Sequence, residues 1–386
     1  MSPLADLELL ARLVAFDTTS SNSNLPLVDF VCEYLDGTGA RIHRLPSEDG
    51  TKANLAVVLG PERTDREGLT LCGHTDVVPA TEPEWSSNPF QIVRRDDAVF
   101  GRGTADMKGF LGLAVAALAE TDADALDRPL ALLFTYDEEV GTRGARRLVE
   151  TGGPPEPLPR RTVVGEPTSL VPARLHKGHL RARIAVRGRA AHSGVPHVGR
   201  SAIEPAGRVV VALAELRRAL ERETPEYAAA FPEVPFVTLN VGSIHGGGAV
   251  NVIPDRCEIE LGARLLPGMD AGALVARIRS AVADAIGDIP YEIEVVGDSP
   301  SAFLDDRSDL WAWLSRDSAA ASDGPASVPF ATDAGWLQQL GFECVIWGPG
   351  SIELAHRPNE CVPLADLARA RETIGRAVGR WCGAPR

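Results

Sequence analysis

Leu7, Leu10, Leu13 and Val14 recur at helical spacing near the start of the chain, and Leu27 to Leu35 carries a second amphipathic stretch. Short apolar runs follow at Leu55–Leu59, Leu69–Cys72, Leu130–Tyr136 and Val163–Val164, separated by helix-like segments at Leu111–Leu118 and Ala145–Val149. Strands alternating with helices predict an α/β core, a mixed sheet with helices on both faces.

The pattern then changes. Leu180, Ala182, Ile184 and Val186 alternate with Arg181, Arg183 and Arg187, as in a strand with one wet face. A long helix is predicted from Ser201 to about Glu221. Strands follow at Phe236–Val241 and Cys257–Leu265, then a helix over Ala271–Ile286 and a strand at Tyr291–Val296. That β-α-β-β-α-β order is the ferredoxin-like split unit. The core resumes with a helix around Leu310–Ala320, a strand at Cys344–Trp347 and a closing helix from Leu364 to Trp381. The expected division is a catalytic core of 1–178 and 299–386 around an inserted lid and dimerisation domain of 179–298.

Length agrees with two domains, since 386 residues exceed one ordinary core. Hydrophobic content of 44% and charged content of 24% describe a soluble globular protein. The first helix carries acidic residues and no cationic leader, so it does not read as a signal peptide. No apolar run approaches the roughly 18 residues of a membrane span. The expected location is the cytoplasm. A net charge of −14 disfavours nucleic acid and membrane surfaces as partners and suits a small cationic substrate. Six cysteines without a CxxC pair read as reduced, mostly buried residues rather than a zinc–thiolate site. Lysine occurs three times, at Lys52, Lys108 and Lys177, and the last two fall inside the segments that carry the chemistry.

In LTLCGHTDVVP a strand ends at His74, and Asp76 follows two residues later on the same face. A carboxylate there is placed to accept the imidazole N–H and hold the ring as a ligand. Alone, the pair reads equally well as a hydrogen bond at a strand end. Asp106, in the glycine-rich FGRGTADMKGF before a helix, would by itself read as a cap. In LLFTYDEEVGTRGA a buried strand ends in an acidic cluster. Adjacent Glu138 and Glu139 point in opposite directions, so one suits a metal and the other a water as general base. VVGEPTS repeats the strand end with Glu166, and GPGSIELAHRPNE supplies His356 in a turn-rich loop. His74, Glu166, Glu139 and His356, with Asp106 shared, give each of two cations an imidazole and carboxylate oxygens. That set suits two Zn²⁺, with Co²⁺ or Mn²⁺ as substitutes.

These five segments, in this order, resemble the di-zinc peptidase and deacylase family that includes acetylornithine deacetylase, succinyl-diaminopimelate desuccinylase, aminoacylases and glutamate carboxypeptidases. The resemblance covers essentially the whole chain. It implies that His74 and Glu166 bind one zinc, that Glu139 and His356 bind the other, and that Asp106 bridges. It further implies that Asp76 orients His74, that Glu138 is the base and that the Asp106–Met107 peptide is cis. HKGHLRARIAVRGRAAHSGVP, PFVTLNVGSIHGGGAVNVIP, ARLLPGMD and GPGSIELAH look most like the deacetylase branch. The implied reaction removes acetate from N2-acetyl-L-ornithine, an arginine-biosynthesis step. Another N-acyl amino acid is the alternative substrate, and a non-catalytic dimeric binding protein is the alternative class. By the same resemblance His192 donates to the developing oxyanion, Asn251 and Arg264 hold the substrate carboxylate, and the protein is a homodimer. His176, His179, His197 and His245 read as structural or rim residues. FATDAGWL matches only loosely, and Asp333 within it is expected either to pair with a substrate ammonium or to cap the next helix.

Overall fold

The strands of the two main sheets are, in chain order, β1 (Arg41–Pro46), β2 (Ala53–Leu59), β3 (Leu69–His74), β4 (Leu130–Thr135), β5 (Arg161–Val164), β6 (Gly178–Arg187), β7 (Thr238–Gly246), β8 (Arg256–Leu265), β9 (Tyr291–Ser299) and β10 (Glu343–Ile346). The helices are α1 (Asp6–Val14), α2 (Leu25–Leu35), α3 (Lys108–Glu120), α4 (Arg143–Glu150), α5 (Ile203–Leu220), α6 (Ala271–Ile286), α7 (Asp309–Asp317), α8 (Ala334–Gln339) and α9 (Leu364–Trp381). The computed structural model describes residues 4–317 and 326–383. The expected helix around Leu310–Ala320 is seen to Asp317, and its last residues lie outside the described ones.

The chain forms two units. The first takes the described residues up to Arg174, 304–326 and those from Thr332 onward. Its sheet has the order β1-β2-β4-β3-β5-β10. β4, β3, β5 and β10 run parallel, and β2 and β1 extend the sheet antiparallel. β2, β3 and β4 are buried at every residue, which is why they read as unbroken apolar runs. Leu55, Val57, Leu71, Leu132, Phe134 and Val163 face α1, α2, α3 and α9 in one core. The opposite face meets α4 and α8, where Asn54 Nδ2 donates to the Gly144 carbonyl and Thr135 Oγ1 to Asp333 Oδ2. β1 escaped the pattern analysis because it is an edge strand with no fully buried residue.

The second unit takes Leu175–Phe303 and Ser327–Ala331. The bounds of 179–298 read from the sequence leave out its short strands Leu175–His176 and Ala302–Phe303, which pair with each other. Its main sheet is antiparallel in the order β7-β8-β6-β9, the ferredoxin-like topology. Ile184 stands opposite Ile259 on one side and Ile293 on the other, on the face that α5 covers. Leu274, Ile278, Val282 and Ile286 form the buried stripe of α6. A bulge between Val241 and Ser243 carries β7 on to Gly246, past the end predicted at Val241.

Candidate metal centre

β3 delivers His74, β4 runs on into Asp137, Glu138 and Glu139, and β5 into Glu166, all at carboxyl ends of parallel strands. β3 lies between β4 and β5, so the winding of the sheet reverses there. Open α/β sheets take ligands in the crevice at such a reversal. Two glycines bring Asp106 into that crevice. A Cβ on Gly73 would stand 2.3 Å from Met107 Cε, and one on Gly165 would stand 2.0 Å from the Phe110 ring. Glycine at both positions lets the first turn of α3, with Asp106 just before it, press onto the strand ends. The Asp106–Met107 peptide is cis.

The donors converge. Single ligand atoms of His74, Asp106 and Glu139 all lie within 4.8 Å of one another. Asp106 Oδ1 is 2.9 Å from His74 Nε2, and its Oδ2 is 3.2 Å from His356 Nε2. His356 Nε2 is also 2.9 Å from Glu139 Oε1. One carboxylate thus offers an oxygen to each of two imidazoles. His356 has a left-handed backbone, φ 60°, a conformation that non-glycine residues adopt where surrounding structure holds them.

The electrostatics of the donors follows from their crowding. Burial, with Glu166 nearby, raises the Glu138 carboxyl well above its usual range. Burial and the Asp106 charge do the same to Glu166, and push Glu139 up to about 7. Burial opposes a charge on His74, but Asp106 and the neighbouring glutamates outweigh it and raise the ring. Hydrogen bonds to Asp106 and Glu139 lift His356 to about 10. Carboxyls that raise one another in this way would be relieved by added positive charge. Crowded carboxylates with two imidazoles on a shared aspartate are donors that fit a pair of divalent cations.

Asp76 departs from its expected position. His74 Nδ1 faces the Asp76 backbone carbonyl at 3.0 Å, while the carboxylate is 3.7 Å away. The carboxylate instead accepts the backbone N–H of Glu138 at 3.0 Å and of Glu139 at 3.3 Å, and the Ser20 hydroxyl at 2.7 Å. The strand ends at His74, so the alternation that put both side chains on one face ends with it. Asp333 also departs from expectation. It is 1% exposed, caps no helix N–H, and accepts Thr135 Oγ1 at 2.5 Å beneath the end of β4.

His192 and Asn251 meet at a small corner of the second unit, where Ala191–His192 pairs with Val252–Ile253 and Ser193 N–H donates to the Asn251 carbonyl. Both are exposed. Arg264 lies on β8 opposite His179 and Thr238, its N–H donating to Thr238 Oγ1 at 3.2 Å.

Several supporting residues were not foreseen. Lys52 Nζ donates to the Ser20 carbonyl at 2.5 Å and pairs with Asp137, whose backbone is left-handed just before Glu138. Glu360 and Arg102, both 1% exposed, pair behind Asp106. Lys108 is buried, donates to the Phe16 carbonyl at 2.8 Å, and is pulled down to about 7 by that burial. An isolated lysine among arginines was the one available signal. The cysteines are free, with Cys361 half-buried and the others buried. Among the described residues no helix is long and apolar enough to cross a membrane.

The sequence pattern of peptidase family M20/M25/M40 matches residues 70–380, a span that holds every donor from His74 to His356. The chain belongs to the peptidase family M20/M25/M40. Among its relatives in that family, the acetylornithine deacetylase of Myxococcus xanthus is 37% identical over 97% of each chain. That of Proteus mirabilis is 33% identical over 97% of this chain and 96% of its own. Solved structures share the M20 fold. The metallo-carboxypeptidase Sso-CP2 of Sulfolobus solfataricus superposes with a TM-score of 0.78 at 16% identity, covering 97% of this chain and 98% of its own. The YXEP protein of Bacillus subtilis, described as a dinuclear metal binding peptidase, gives 0.66 at 16% identity over 97% of both.

Proposed function

We propose that this M20 protein is a metal-dependent N-acyl-amino-acid hydrolase whose substrate is N2-acetyl-L-ornithine and whose products are acetate and L-ornithine. The observation that carries the reading is the shared aspartate, Asp106, with an imidazole on each oxygen, and the Glu138 carboxyl is close enough for its charge to act on His74. The full-length likeness to acetylornithine deacetylases supports the substrate.

In this reading His74 and Glu166 would hold one Zn²⁺, Glu139 and His356 would hold the other, and Asp106 would be shared by both. Such cations supply Lewis acidity toward the acyl carbonyl and activate water near neutral pH. Glu138 takes the proton of the attacking water and later delivers it to the leaving amine. Asp76 fixes the turn that carries it. His192 donates to the oxyanion, Asn251 and Arg264 hold the substrate carboxylate, and the second unit carries the homodimer contact.

The test is a hydrolysis panel on metal-replete protein, with N2-acetyl-L-ornithine, N-acetyl-L-methionine and N-succinyl-diaminopimelate. Acetylornithine is expected to turn over fastest, with activity lost to a chelator and restored by Zn²⁺ or Co²⁺. Faster desuccinylation would change the substrate and keep the reaction class. Turnover of none would reject both.

A further inference from the structure

Behind the donors, several segments of the first unit meet on one buried ion pair. Glu360 Oε1 accepts the backbone N–H groups of Ala105 at 3.0 Å and Asp106 at 3.1 Å. Its Oε2 accepts Arg102 Nη1 at 2.8 Å. Arg102 Nη2 donates to the Pro79 carbonyl at 3.0 Å, and Nη1 lies 3.4 Å from the Arg357 carbonyl. The guanidinium stands over the Trp85 ring at 5.1 Å. Asn359 fastens the same stretch again, accepting Ser86 N–H at 2.9 Å and donating to the Glu84 carbonyl at 2.9 Å.

The pair therefore touches the chain just after His74, just before Asp106 and just after His356. Apolar residues of equal volume would serve packing as well or better, because burying two charges carries a desolvation cost. They could not accept two successive N–H groups at the shared aspartate. Charge-assisted hydrogen bonds of this kind are the stronger ones, and they fix a backbone at a defined place.

We propose that Glu360, locked by Arg102, is a positioning residue that sets the Asp106 carboxylate between His74 and His356 and so lets two cations share it. The inference rests on the donor set assigned above. Outer partners of metal ligands typically govern affinity by about 10–100-fold.

The test loads metal-free wild type, Glu360→Gln and Arg102→Lys with Co²⁺ alone, following binding by calorimetry and the cobalt pair by EPR. Glu360→Gln keeps the shape but turns an amide NH₂ toward the guanidinium or toward the loop. Arg102→Lys keeps the charge but cannot reach Glu360 and Pro79 together. Both are expected to fold by circular dichroism, to bind the first Co²⁺ near wild-type strength, and to bind the second at least about 10-fold more weakly. The magnetic coupling of the two-cobalt form should weaken with it. Wild-type affinity for the second ion and unchanged coupling in folded Glu360→Gln would overturn the proposal. So would failure of both variants to fold, which would make the pair a general fold element. Wild type that binds two Co²⁺ yet hydrolyses no N-acyl amino acid would reject the proposed function and leave the positioning role standing. Wild type that binds one Co²⁺ would overturn both.

Discussion

The carboxylate of Asp76 holds the backbone of Glu138, with the Glu138 nitrogen 3.0 Å from Asp76 Oδ1. Its second oxygen takes Glu139 N–H and the Ser20 hydroxyl, so its hydrogen bonds go to the acidic turn and to Ser20 rather than to the imidazole. Asp76→Asn would place an NH₂ against one of those N–H donors. Turnover is expected to fall by about 10–100-fold with metal content nearly unchanged, as kinetics and metal analysis on the same sample would show. Loss of metal with turnover would instead assign Asp76 to His74.

Glu138→Gln removes the proton carrier and leaves the other donors in place. The expected loss in kcat is on the order of 10²–10⁴-fold, the usual worth of a positioned acid–base group, with two cations still bound. Retained turnover would disqualify Glu138 as the base.

Gly165→Ala tests the close approach beneath Glu166. The added methyl would meet the Phe110 ring at 2.0 Å, and overpacking of this kind costs about 1–3 kcal/mol. A lowered Tm and weakened metal binding are expected together. Phe110→Leu in the same chain should restore part of both, and absence of any rescue would refute the contact.

The His74, Glu139 and Glu166 segments were legible because each ends an apolar run, which places it at the rim of a buried sheet; Asp106 and His356 sit in turn-rich segments and were legible only with the others. The reading weakened where the strand pattern stopped. Asp76 follows the last residue of β3, and there the chain turns its carbonyl, not its carboxylate, to His74. Glu360 reads as one more acidic residue in a turn-rich loop. Its burial depends on Arg102, distant in sequence, and no local pattern encodes that pairing. Asp333 offered a choice between capping and substrate contact, and neither considered that Thr135 on the underside of β4 would claim it. The split unit was easier, since alternation along β6 and β8 directly records one covered and one open face.

Removal of the cations should reverse the usual pH trend. Burial and Asp106 lift Glu139 from 4.5 to about 7, so the metal-free folded state holds more protons than the unfolded chain between those values. That contribution is complete below 4.5 and is lost as pH rises through 7. His356, lifted from 6.5 to about 10 by its hydrogen bonds to Asp106 and Glu139, extends the loss upward. Asp106, held low by the two imidazoles against its burial, acts oppositely and only in acid below 3.8, and buried Lys108, pulled from 10.5 down to about 7, offsets part of the His356 loss above pH 7. In chelator, Tm is expected to fall between about pH 5.5 and about pH 8.5. Saturating Zn²⁺ or Co²⁺ should add more stability at the higher pH, because bound donors must be deprotonated. A Tm that rises with pH in chelator would contradict the proton-filled pocket.

β5 and β10 are hydrogen-bonded neighbours, Arg161 opposite Glu343, although the whole second unit is synthesised between them. During translation the β5 edge therefore stands uncovered until residues 343–346 emerge, and His356 arrives later still. A ribosome that stalls in this interval releases a polypeptide with an open template for strand addition. Nascent chains of this protein should accordingly lean on a holdase at that stage, and metallation can be completed only after release of the last loop.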